Sequence, residues 1–69
     1  MKYAEIIARA EQDLAELDGW TKKMLLRRMG IEMTAAHARR PKAKIVAECR
    51  HFLETVRDDA RWAEQDLLR

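Results

Sequence analysis

The sequence predicts an all-α fold of four helices that ends in one long helix, and three observations carry that expectation. Apolar residues recur at spacings of three and four, and no stretch alternates apolar with polar residues as a half-buried strand would. Helix-breaking residues at Asp18-Gly19, Gly30 and Pro41 then divide the chain into helix-sized pieces.

The first helix is expected from about Lys2 to Leu17, within a segment 1–17, because Tyr3, Ile6, Ile7, Ala10, Leu14 and Leu17 fall on one face with charged residues between them. Asp18-Gly19 interrupts it. Thr21 is placed to cap a second helix by accepting a backbone N–H, and that helix carries Met24, Leu25 and Met29. Gly30 suits its end, since glycine takes a left-handed backbone at little cost. Ala35, Ala36 and Ala38 favour a short third helix starting near Met33 or Thr34, which completes a segment 21–40. Proline disfavours helical geometry at Arg40 but fits the first turn of a new helix, so the fourth helix is expected over 41–69.

That last helix has a seam of Ile45, Cys49, Phe52, Val56, Ala60, Ala63 and Leu67, widened by Val46, Leu53 and Trp62. The 69 residues make a single domain, 1–69, and so short a chain buries only about 60% of its unfolded surface. A homodimer joined along the seam is the expected source of extra stability. The same stripe could instead cover helix 1.

Charge is unevenly distributed. Residues 1–21 carry two basic and five acidic side chains, and residues 45–69 carry four and six. Between them, Lys22, Lys23, Arg27, Arg28, Arg39, Arg40, Lys42 and Lys44 face Glu32 alone, a net +7. Such a local field steers a protein toward a polyanion. Lys22 and Lys23 stand at a helix start, where free backbone N–H groups and lysines together favour a phosphate.

The run Lys22-Lys23-Met24-Leu25-Leu26-Arg27-Arg28-Met29-Gly30-Ile31-Glu32-Met33-Thr34-Ala35-Ala36-His37-Ala38-Arg39-Arg40 resembles the helix-turn-helix of small phage repressors and related regulators. Leu25, Met29 and Ile31 fall on the apolar positions of that motif, and Gly30 falls on its turn glycine, six residues before Ala36. The resemblance covers under a third of the chain. It implies that the second helix of the pair packs on the first and enters the major groove. By that pattern Met33, Thr34, His37 and Ala38 would face the bases, a poor set for bidentate readout. Leu26, Ala36 and Arg39 depart from the motif's usual small, β-branched and apolar residues. Arg39, Arg40, Lys42 and Lys44 would contact phosphates without reading sequence.

Chemistry of other kinds is poorly represented. Cys49 and His51 lie two positions apart, about 200° around a helix, and so cannot form a ligand pair or a nucleophile–base pair. Glu54 with Asp58 reads as a solvated helix face, and Trp20 and Trp62 as packing residues. No catalytic residues, metal ligands, cofactor or small-molecule substrate are expected. The N-terminus Met1-Lys2-Tyr3-Ala4-Glu5 does not resemble a secretory signal, no apolar run reaches about 20 residues, and Cys49 is a lone cysteine. A cytoplasmic protein without membrane contact is therefore expected. The favoured reading is a small dimeric protein that binds duplex DNA, a transcriptional regulator of phage or mobile-element type. The alternative is an adaptor or phage-encoded inhibitor whose basic segment docks on an acidic protein surface.

Overall fold

A computed structural model describes residues 2–67 of the chain. It contains four α-helices: α1 (Tyr3–Glu16), α2 (Lys22–Arg28), α3 (Ala35–Arg39) and α4 (Lys42–Leu67). A 310 turn at Leu17–Gly19 follows α1, and among the described residues there is no strand. The fold is all-α, with a long C-terminal helix. At 26 residues α4 is about 39 Å long, and it sets the long dimension of a particle measuring 47 × 19 × 17 Å.

α1 runs antiparallel along α4. Two ion pairs fix the direction, because Arg61 reaches Glu11 at 2.9 Å while the earlier Arg50 reaches the later Asp18 at 2.9 Å. α2 folds back across the first half of α4, so the core collects where three segments meet: Leu17, Leu25, Leu26, Ile45, Cys49 and Leu53 are buried. Leu14, Trp20, Met29, Val46 and Phe52 pack around them.

One boundary shifts from the sequence expectation for a local reason, and the others hold. α1 ends at Glu16, and Leu17 enters the core from the 310 turn instead. Thr21 caps α2 as expected, its Oγ1 accepting the Met24 N–H at 3.2 Å. Gly30 closes α2 at φ 75°, with the Gly30 N–H bonding the Arg27 carbonyl at 3.0 Å and the Ile31 N–H bonding the Leu26 carbonyl at 2.9 Å. These two bonds form a Schellman closure. The Pro41 carbonyl accepts from Lys44 and Ile45, and so starts α4.

The buried face of α2 is Leu25 and Leu26 with Met29 beside them, whereas Met24 is turned outward. The α4 seam packs largely within the chain, the alternative in which the stripe covers helix 1. Ile45, Cys49 and Ala60 are buried within one chain, Phe52 packs on the core, and Val56 and Ala63 are half-buried. Of the expected dimer contacts only Leu67 is exposed. The stripe covers α1 and α2, so a dimer along it would have to displace them. Trp62 does not widen the stripe either, because it sits well around the helix from the buried face and is 65% exposed. No helix among the described residues is long and apolar enough to cross a membrane.

Candidate nucleic-acid interface

The basic segment begins on α2, where Lys23 and Arg27 stand one turn apart and exposed. With Gly30, Ile31, Glu32 and Met33 they line a shallow groove of about 450 Å3. Lys22 is used differently: its Nζ donates to the Ala38 carbonyl at 3.0 Å. That bond spans 16 positions and ties the start of α2 to the last turn of α3. Lys23 and Arg39, each one residue from an end of this tie, are thereby brought into the same neighbourhood.

α3 is a single capped turn. Thr34 Oγ1 accepts the His37 N–H at 3.4 Å, and His37 Nδ1 accepts the Thr34 N–H at 3.2 Å. This reciprocal arrangement is a capping box, with histidine in the place more often taken by Glu or Gln. Thr34 and His37, expected to face bases, also hold each other, the hydroxyl lying 2.9 Å from Nδ1.

Contact between α2 and α3 is slight, carried by the Lys22–Ala38 bond. No residue of α3 is buried, Ala36 is exposed, and Leu26 is buried in the core shared with α4.

Two of the eight basic residues in the segment are committed to ion pairs. Arg28 is half-buried, donating from Nε to Asp13 Oδ2 at 2.7 Å, and its guanidinium lies 6.0 Å from the centroid of the Phe52 ring. Arg40 pairs with Glu48 across the start of α4. Both belong to the basic segment expected to meet phosphate; Arg28 is neutralised by a buried carboxylate, and Arg40 by a carboxylate at the surface. Lys23, Arg27, Arg39, Lys42 and Lys44 remain exposed, and among the described residues none of them has an ion-pair partner.

Asp13 is the functional neighbour that sequence reasoning missed. It is the one buried charged residue among those described, 3% exposed, and it takes a second bond from Arg9 Nε at 3.3 Å. Its signal was present in the sequence, because it stands three residues after Ala10 and four before Leu17, an acid inside an apolar stripe. Glu48 gave no comparable signal, since its distance from Arg40 depends on how the chain turns at Pro41.

Cys49 is buried, and burial pushes its thiol above the ordinary range, with the Arg28 charge opposing the shift and Asp13 adding to it. His51 is exposed on the same helix. Among the described residues no three His, Cys, Asp or Glu side chains gather as a metal site would require. No protein-family model, no curated protein and no solved structure matches this chain.

Proposed function

We propose that this protein binds duplex DNA through its phosphates, using Lys23, Arg27, Arg39, Lys42 and Lys44. One observation carries the reading: among the described residues, five exposed cations without an ion-pair partner fall between positions 23 and 44. Unneutralised cations gain free energy by displacing the counterions condensed on DNA, and that gain does not depend on base sequence.

Shallow base readout is part of the proposal: Met33, Thr34, His37 and Ala38 are a poor set for bidentate contacts, and the Thr34 hydroxyl and His37 Nδ1 are engaged with each other. The proposed role is occupancy of DNA, in a regulatory setting of phage or mobile-element type, with little discrimination between sequences. The test is fluorescence anisotropy with labelled duplexes of unrelated sequence. The triple variant Arg39→Ala, Lys42→Ala, Lys44→Ala should lose affinity by at least about tenfold at low salt, and equally on every duplex. An unchanged affinity, or a loss confined to one sequence, contradicts phosphate-directed binding.

A further inference from the structure

Two surfaces outside the core have opposite chemistries, and the first shares Lys23 and Arg27 with the proposed DNA-binding set, so a second copy and DNA would compete for those two side chains. The first lies on α2. Trp20, Met24, Arg27 and Arg28, with Arg9 from α1, line a groove of about 460 Å3, and Arg27 also lines the groove with Lys23, Ile31 and Met33. Met24 is 48% exposed, Ile31 39% and Met33 37%, so the continuous surface has an apolar floor and a cationic rim. Glu32 is the only acid among its described lining residues.

The second surface is the outer face of α4 near its end. Trp62 stands exposed outside the core, with Asp58 one turn before it, Asp59 three residues before it and Asp66 one turn after it. Asp58 is partly neutralised by Arg57 at 3.0 Å, and the neighbouring Arg61 is held by Glu11. Asp59 and Asp66 have no ion-pair partner among the described residues. An indole flanked by carboxylates is the complement of an apolar floor flanked by cations.

We infer that the Trp62 face of α4 docks in the α2 groove of a second copy of this chain. The indole would cover Met24, and the carboxylates of Asp59 and Asp66 would meet Arg27 and Lys23, both sides losing apolar surface to water as charge is matched. Tryptophan concentrates binding energy in such contacts, and methionine adapts its shape to a ring. Within one chain the two surfaces cannot meet. α2 packs on the first half of α4, and Trp62 lies about 20 Å further along the helix from Cys49. The contact is therefore heterologous, joining unlike patches of two copies. It uses the opposite side of α4 from the seam buried against α1.

Sedimentation equilibrium at low salt tests this, with the single variants Met24→Asp and Trp62→Ala. Both positions are exposed, so the fold should survive, and an unchanged helical circular dichroism spectrum checks that it does. Wild type should associate, and more weakly as salt is raised. Each variant alone should associate at least about tenfold more weakly. An equimolar mixture of the two should regain association, because the mixture still holds one intact groove and one intact Trp62. A wild type that stays monomeric overturns the proposal and leaves the groove to an acidic helix of another protein. Variants that associate like wild type, or a mixture that regains nothing, overturn it as well.

Discussion

Arg28 on α2 holds Asp13 on α1 through a 2.7 Å bond, and this pair locks the two helices together against α4. Asp13 is buried, so the contact removes a carboxylate from water only because Arg28 and Arg9 supply its hydrogen bonds. Arg28→Ala should leave Asp13 with Arg9 alone and destabilise the fold by about 1–3 kcal/mol in urea unfolding. DNA affinity of the folded variant should be unchanged, since Arg28 is an internal cation. A variant of full stability with weakened DNA binding would place Arg28 at the interface instead.

Gly30 and Gly19 should behave oppositely. Both have open space where a Cβ would stand, but Gly30 alone has a positive φ. Gly30→Ala forces a left-handed alanine and should cost about 1–2 kcal/mol. Gly19→Ala restricts only the unfolded chain and should be neutral or stabilising by up to about 1 kcal/mol. Thermal unfolding of the two variants side by side checks the contrast.

The α3 turn should be the first part of the basic segment to open. It buries no residue and rests on the Thr34–His37 cap and the Lys22–Ala38 tie. Its amides should exchange with deuterium far faster than those of α4 around Cys49 and Leu53, which are buried in the core. Thr34→Ala should accelerate that exchange while changing global stability by about 1 kcal/mol or less.

Cys49 should make the fold weaken in alkali. Burial raises its pKa above the ordinary 9.0, so above that pH the folded chain keeps a proton that the unfolded chain has lost. Stability contributed by the neutral thiol is then complete below pH 9.0 and is lost as pH rises through the folded-state value. Urea unfolding from about pH 7 to about pH 10 should show a steeper alkaline decline for wild type than for Cys49→Ala. Parallel declines would exclude the thiol as the cause.

The helices were legible because their signals are local: the stripe from Tyr3 to Leu17, the Thr21 cap, the Gly30 turn and the Pro41 start each act within a few residues. Pairing was less legible. The apolar stripe of α4 is the same whether it meets α1 or a second subunit, and only the folded arrangement shows that it is filled from within. The same limit applied to charge. A count of eight basic residues does not reveal that Asp13 and Glu48 neutralise two of them, because both acids come from outside the basic segment. Motif spacing placed Gly30 correctly yet could not show that α3 lies on the surface with Ala36 exposed.

Phosphate-directed binding by five cations is tested most directly by a mobility-shift titration of wild-type protein on duplex DNA over a series of salt concentrations. Each phosphate contact contributes about −0.9 to the slope of log K against log salt, so five contacts give a slope of about −4 to −5. The Arg39, Lys42, Lys44 triple alanine variant should flatten it to about −2. No shift at low salt, or a wild-type slope near zero, would contradict DNA binding through this surface.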